Sequence, residues 1–291
     1  MALTINTNIS SLIAQQNLSK ATSSLNKAIE RMTTGYKINH AGDNAAGYSI
    51  SKNWETQLGS LDVAADNAAT GADMMSTLED HYSLISTHLQ RVRDLTEQAA
   101  NGTYGTASLA AIKSEVTARL EEIDRIAANC EFNGRHLMDK SITSDINLQV
   151  GLYSGADSQI SLDSSLFDSA KVGDLFKGYS GDASLDSKDK VAEACAGSST
   201  TAAATLSKID KVINQISTRT TTLGAAQNRI DSAIESIAVQ SENITSSLST
   251  LRDADVASES SNYIKAQILQ QAAATLLSTA NQTPSIALNL L

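Results

Sequence analysis

The sequence predicts a mainly α fold: an elongated antiparallel coiled-coil bundle with a small β-hairpin region and paired terminal helices. Three observations predict it. Apolar residues recur at alternating steps of three and four over long stretches, which is the signature of a helical seam. The 291 residues include one proline, Pro284, and only 4% aromatics, a composition that suits long helices better than a loop-rich or aromatic core. A period of two occurs in one place only, between Ile146 and Leu162.

The longest seam reads Leu206, Ile209, Ile213, Ile216, Thr220, Leu223, Gln227, Ile230, Ile234, Ile237, Ser241, Ile244, Leu248 and Leu251. Held for more than six heptads, it predicts a helix about 70 Å long. A second seam runs Leu58, Leu61, Ala65, Ala68, Ala72, Met75, Leu78, Tyr82, Ile85, Leu89 and Val92, with one step of three where four is expected. Gly59 and Gly71 each weaken it by roughly 1 kcal/mol relative to Ala. A third, shorter helix carries Leu109, Ile112, Val116, Leu120, Ile123, Ala127 and Cys130. Breaks at 101–105 and at Asn133–Gly134 separate these pieces, so neighbouring helices run antiparallel.

The two ends are thinner. Residues 5–32 carry Ile5, Ile9 and Leu12, then Leu18, Ala21, Leu25, Ala28 and Met32, with a change of phase near Gln15–Gln16. Residues 256–283 carry Ile264, Ile268, Leu269, Ala272, Leu276 and Ala280. Burying a Leu or Ile is worth roughly 1.5–3 kcal/mol, about what ordering a residue or two costs. A lone helix of this kind is marginal in water, so each end requires a partner surface, either the other end or a neighbouring molecule.

Strict alternation at Ile146, Leu148, Val150 and Leu152, a turn at 153–157, and alternation again at Ile160 and Leu162 predict a β-hairpin. Residues 163–201, rich in Ser, Asp and Gly, read as a short surface excursion with one helical turn near 186–196. The expected organisation is an N-terminal helix (1–42), the N-terminal half of a rod with the hairpin (43–176), a variable excursion (177–204), a C-terminal rod helix (205–254) and a C-terminal helix (255–291).

Chemistry is hard to place. A net charge of −10 argues against a nucleic-acid partner, which needs a basic stripe. No run approaches 18 apolar residues, so no membrane span is expected, and Met1–Leu12 has no secretory-signal pattern. Cys130 and Cys195 are too few for a disulfide scaffold; one bridge or two free thiols are both open, with the thiols favoured. His81 and His88 share a helix face but stand about 10 Å apart along its axis, too far for one metal ion. Trp54 reads as an interface packing residue. No enzymatic motif is present, and the sequence calls for no cofactor.

Several ordered blocks resemble the bacterial flagellin family. They are Ile5-Asn6-Thr7-Asn8, Ala28-Ile29-Glu30-Arg31-Met32 before Thr33-Thr34-Gly35, Gly42-Asp43-Asn44-Ala45-Ala46-Gly47, and Leu89-Gln90-Arg91-Val92-Arg93-Asp94-Leu95. Phe132-Asn133-Gly134, Leu223-Gly224-Ala225-Ala226-Gln227-Asn228-Arg229 and Ala266-Gln267-Ile268-Leu269-Gln270-Gln271-Ala272 follow in the same order. The likeness covers about 1–165 and 205–291, with only about 40 residues where longer members insert outer domains.

The resemblance implies a non-enzymatic structural subunit of an extracellular flagellar filament. It would leave the cell unfolded through the flagellar type III apparatus, without a cleavable signal. Implied partners are further copies of the chain, an export chaperone on the C-terminal helix, and the filament cap and hook-junction proteins. Ile5, Ile9, Leu12, Leu25, Met32, Ile264, Ile268, Leu269, Leu276, Leu290 and Leu291 are the expected polymerisation contacts. The family's Toll-like receptor 5 patch matches Gln90, Arg91, Leu95 and Glu115. Ser184, Ser198, Ser199 and Thr200 would accept O-linked sugars if the excursion is exposed. A hook–filament junction protein and a monomeric helical adhesin are the competing readings.

Overall fold

The computed structural model describes residues 7–180, 185 and 187–288, with the side chains of 178–180 and 283–288 left out. Its described residues form seven helices: α1 (Ile9–Thr34), α2 (Ala45–Ala100), α3 (Thr106–Asn129), α4 (Val172–Ser180), α5 (Lys188–Ala196), α6 (Ser199–Arg252) and α7 (Val256–Leu288). Two antiparallel hairpins join them, β1 (Glu131–Phe132) with β2 (Arg135–His136), and β3 (Ile146–Gln149) with β4 (Gln159–Leu162). The chain divides into two compact units, residues 59–240 and residues 1–58 with 241–291.

In the first of these units the seams read from sequence are the core. Met75, Leu78, Tyr82, Ile85, Leu89 and Val92 of α2 are fully buried, as are Val116, Leu120, Ile123, Ala127 and Cys130 in and just after α3. Along α6, Ile209, Ile216, Leu223 and Ile230 join the same cluster. The polar pairs fix the directions. Arg91 meets Glu115 and Arg93 meets Asp210, while Gln227 donates to Glu79, so α2 runs antiparallel to both α3 and α6.

The β3–β4 hairpin pairs Ile146 with Leu162 and Leu148 with Ile160, which puts the alternating residues on one face as the period of two requires. Leu148 packs on Gly71, where an added Cβ would collide with its side chain. That glycine, which intrinsic propensity marks as a weak point in the helix, leaves room on α2 for the hairpin's Leu148. The β1–β2 hairpin turns through Asn133 and Gly134, both at positive φ (49° and 78°), the Asn-Gly turn that two-residue hairpins favour.

Residues 163–201 differ from the surface excursion that their composition suggests. Leu166, Phe167, Val172, Leu175 and Phe176 are buried, and so are Leu185, Val191, Ala192 and Cys195. The segment is stitched to its neighbours: Tyr82 Oη donates to Leu166 O, Asp124 accepts from Val172 N, and Arg219 donates to the carbonyls of Asp168 and Ser169. Lys113 pairs with Glu193 and Lys188 with Glu121, which sets α5 antiparallel to α3. Two phenylalanines and a short aliphatic set close the core there.

Both cysteines are free and buried. Burial pushes the Cys130 thiol up to about 12 and that of Cys195 up to about 11, so both stay protonated and unreactive at neutral pH.

In the other unit, α1 and α7 lie antiparallel, as Arg31–Glu259, Thr22–Gln270 and Asn8–Ala280 show. The phase change expected near Gln15–Gln16 does not interrupt α1, because Ala14, Ala21 and Ala28 keep one buried line seven residues apart. Between α1 and α2, Asp43 accepts from the backbone of Asn39 and His40 and pairs with Lys27 at 2.6 Å. Asn44 then caps α2, its side chain accepting from Gly47 N.

The Lys27 ammonium and the two backbone donors lower the Asp43 carboxyl from 3.8 to about 2. A depressed carboxyl stabilises above its unfolded value and loses that contribution as pH falls through its folded one. With the partner half exposed, it is worth on the order of 1–2 kcal/mol. Asp43→Asn is therefore expected to lower stability at pH 5 and to match the parent below pH ~2, measured by urea unfolding followed through helical ellipticity. Equal stability of the two at pH 5 would show that the turn does not depend on this carboxylate.

Candidate assembly surface

The buried apolar residues where α1 pairs with α7 are alanines, with Leu18, Leu25 and Leu277 half-buried beside them. Ala14, Ala21 and Ala28 are 7%, 7% and 3% exposed, and they meet Ala266 and Ala273, at 4% and 6%. Methyl groups let two helix backbones come close but bury little area each. The residues that would contribute most are left outside. Ile9, Leu12, Ile13, Ile29 and Met32 on α1, and Ile264, Ile268, Leu269 and Leu276 on α7, are all exposed.

Helical geometry explains this. At 100° per residue, Ile264 and Ile268 project from the side of α7 opposite Ala266, with Leu269 and Leu276 flanking the seam. On α1, Leu12 stands opposite Ala14. Leu269 and Leu276 line an open groove of about 650 Å³ between the two helices, rimmed by Lys20, Lys27, Arg31 and Lys265.

The polymerisation residues expected from sequence therefore fall into three groups. Ile9, Leu12, Met32, Ile264, Ile268, Leu269 and Leu276 lie on this exposed surface, and Leu25 is half-buried. Ile5, Leu290 and Leu291 lie outside the described residues. Sequence reading placed Ala21 and Ala28 in the α1 seam but not Ala14, and on α7 it took Ala272 and Ala280 where Ala266 and Ala273 are buried. The signal of the alanine line was present in the seven-residue spacing of Ala14, Ala21 and Ala28, but larger neighbours outweigh alanine in any hydropathy pattern.

Charge favours the same surface for self-association. Residues 1–58 and 241–291 contain seven Lys/Arg and seven Asp/Glu, so the whole net charge of −10 resides in residues 59–240. Copies packing through the neutral unit meet no net like-charge repulsion there.

Other candidate sites are placed less favourably. Arg91 and Glu115 form an exposed ion pair, with Nε and Nη2 donating to one carboxylate oxygen at 3.0 and 2.8 Å, and Gln90 is exposed beside them. Leu95 does not belong to that surface: it is 2% exposed, since its position on α2 faces the core. Ser198, Ser199 and Thr200 open α6, and Ser198 acts as its cap. The Thr201 hydroxyl accepts from Ser198 N, and Ala202 N donates to Ser198 O. Ser184 lies outside the described residues.

His81 Nδ1 is 2.7 Å from the carbonyl of Thr77, one turn back on its own helix. Trp54 is half-buried and lines an open pocket together with Ile38 and Leu251. Among the described residues, no group of three or more His, Cys, Asp or Glu could hold a metal ion, and no helix is long and apolar enough to cross a membrane.

A mainly α chain whose two ends pair through small residues and leave large apolar residues outward defines a class of helical protein with an open apolar surface on its paired termini. Comparison with known proteins makes this specific. Residues 5–143 match the bacterial flagellin N-terminal helical region and residues 206–291 match the bacterial flagellin C-terminal helical region. The chain belongs to the flagellin family.

It is 40% identical over 173 residues to polar flagellin F of Vibrio parahaemolyticus, covering 60% of this chain and 46% of that one. With B-type flagellin of Pseudomonas aeruginosa the identity is 44% over 151 residues, covering 52% and 31%. The match thus spans about half the length of these curated relatives, or less. A solved structure of a flagellar hook-associated protein from Vibrio parahaemolyticus superposes with a TM-score of 0.60 at 16% identity, over 72% of this chain and 100% of that one. At that identity it shows a shared fold alone.

Proposed function

We propose that the chain is a structural subunit that polymerises with copies of itself into an extracellular flagellar filament for motility. The observation that carries this reading is the apolar surface left open by the alanine seam of α1 and α7. Each large apolar side chain covered by a neighbouring copy contributes roughly 1–2 kcal/mol, and the neutral charge of that unit permits close packing. The test is a Leu12→Asp, Leu269→Asp variant, followed by light scattering and electron microscopy. A carboxylate at each position should raise the concentration needed for assembly by at least about tenfold, while thermal unfolding of the free chain stays unchanged. Assembly at the parent concentration would overturn the reading.

Export as an unfolded chain, an export chaperone on the C-terminal helix, and contacts with filament cap and hook-junction proteins follow from the same reading. So does the division of the chain at 1–42, 43–176, 177–204, 205–254 and 255–291. Toll-like receptor 5 recognition would rest on Gln90, Arg91 and Glu115, the exposed members of the matching patch. A reporter-cell assay in which depolymerised protein gives no signal would remove it. Sugars on Ser184, Ser198, Ser199 or Thr200 would show as added mass on the secreted chain, and a mass equal to the bare sequence would dispose of them.

A hook–filament junction subunit, which would share flagellin-like ends, is the second reading. Abundance in sheared filaments separates the two: a filament subunit is the bulk component and a junction protein a trace one.

A further inference from the structure

The alanine seam between α1 and α7 has a weakness that its spacing creates. Ala14, Ala21 and Ala28 stand seven residues apart on one helix, and Glu259, Ala266, Ala273 and Ala280 stand seven apart on the other. Sliding one helix along the other by a heptad again sets alanine against alanine, so the buried alanine line by itself is nearly indifferent to register, and only the half-buried Leu18, Leu25, Tyr263 and Leu277 beside it change partners. In coiled coils such degeneracy is lifted by polar groups placed at single seam positions.

One seam position here is charged. Glu259 is buried, and Arg31 Nη1 donates to its Oε1 at 3.0 Å. A heptad slip would separate the two charges, setting Arg31 against Ala266 in one direction or Glu259 against Ser24 in the other, and leave both without this partner.

A second constraint lies immediately beside this pair. Gly35 ends α1 in the left-handed conformation (φ 75°), its N–H returning to Arg31 O at 2.9 Å. The next residues then pair with the segment that links α6 to α7. Lys37 N donates to Arg252 O at 2.7 Å, and Ala254 N donates to Gly35 O at 2.8 Å, closing an antiparallel bridge between Tyr36 and Asp253.

Side chains reinforce the bridge. The Arg252 guanidinium stacks 3.9 Å from the centre of the Tyr36 ring and pairs with Glu55, and Lys37 Nζ donates to Thr250 O. Only Asp255 separates this bridge from α7, and α1 ends one residue before it. The point from which the two helices are measured out is thus fixed on both strands.

We propose that the 35–37/252–254 bridge and the buried Arg31–Glu259 pair act together as a register lock for the terminal helices, selecting one alignment that the alanine seam alone does not select. The proposal deepens the filament reading. Only one register sets the exposed residues of α1 and α7 in a fixed pattern, and identical copies need an identical pattern to pack. Arg31, Glu259, Tyr36 and Arg252 are positioning residues in this sense.

Cross-linking reads the register directly. Thr22 lies against Gln270, and a heptad slip would bring Tyr263 or Leu277 to the same place. Chains carrying Cys130→Ala and Cys195→Ala receive Thr22→Cys together with Gln270→Cys, Tyr263→Cys or Leu277→Cys. They are treated with a short bismaleimide both as free chain and as sedimented polymer. The 22–270 cross-link should exceed the two shifted ones by about tenfold or more. In an unlocked chain, with Arg31→Met and seven Gly/Ser residues inserted between Thr34 and Gly35, a shifted cross-link should rise to within about threefold of the native one.

An unlocked chain that still cross-links only at 22–270 overturns the proposal, because the seam would then hold register unaided. Equal cross-linking of all three pairs in the locked chain overturns it as well, as does failure to cross-link 22–270 in either state. A locked chain that cross-links at 22–270 but never sediments keeps the register lock and loses the filament reading. One that sediments while cross-linking indifferently does the reverse.

Discussion

Removing residues 256–291 is expected to abolish assembly outright. The deletion takes away α7 and with it Ala266, Ala273 and Glu259, the buried residues against which α1 pairs. What remains of the N-terminal end is a helix of 26 residues with an alanine line facing water, and an unpaired helix of that length is marginal. Arg31 would lose the Glu259 carboxylate at 3.0 Å, and the surface containing Ile264, Ile268, Leu269 and Leu276 would be gone. Residues 59–240 have their own continuous core, so the truncated chain should retain a cooperative unfolding transition for that unit. Light scattering and electron microscopy give the answer; filaments from the truncated chain would show that the ends are not the assembly surface.

Phe176→Ala is expected to cost about 3–5 kcal/mol of stability, the usual range for removing a buried aromatic ring. Phe176 is 1% exposed on a nine-residue helix and shares the core cluster with Phe167, Leu175 and the seam residues of α2, α3 and α6. Tyr153, 70% exposed in the turn before β4, supplies the contrast: Tyr153→Ala should stay within about 0.5 kcal/mol of the parent. Urea unfolding at neutral pH measures both. A loss under ~1 kcal/mol for Phe176→Ala would mean that residues 163–201 are the surface excursion suggested by their composition.

That segment shows where sequence reading stops. The helical seams were legible in period because Leu, Ile, Val and Met recur at a spacing that random sequence does not sustain: Leu78, Tyr82, Ile85 and Leu89 are fully buried. In α6, however, Leu206, Ile213 and Ile234 are half-buried, and Val212 and Ala226 are buried outside the seam as read. The β3–β4 hairpin was legible for the same reason at a period of two. Residues 163–201 hold their core contribution in isolated residues such as Phe167 and Phe176, separated by Ser, Asp and Gly, and no period emerges from two short helices. Only tertiary contacts such as Tyr82 to Leu166 O and Arg219 to Asp168 O reveal it.

The assembly surface was half legible. Its large apolar residues were visible, including Leu12, Ile264, Ile268 and Leu269. Which of them face the intramolecular partner was not, because alanine carries too little hydrophobicity to mark a seam. The bridge at 35–37 and 252–254 joins positions over 200 residues apart through backbone groups, which leave no trace in side-chain patterning. The Asn133–Gly134 turn, by contrast, was a readable hairpin signal that the flanking two-residue strands were too short to support.

The central claim is that α1 and α7 are completed by neighbouring copies. Amide hydrogen exchange, compared between free chain and filament, tests it most directly, because protection reports local opening element by element. The account predicts that residues 9–34 and 256–282 exchange fast in the free chain and become protected by about a hundredfold or more on assembly. Protection along α3 and the buried face of α2 should stay as it was. Equal protection of the two terminal helices in both states would contradict it.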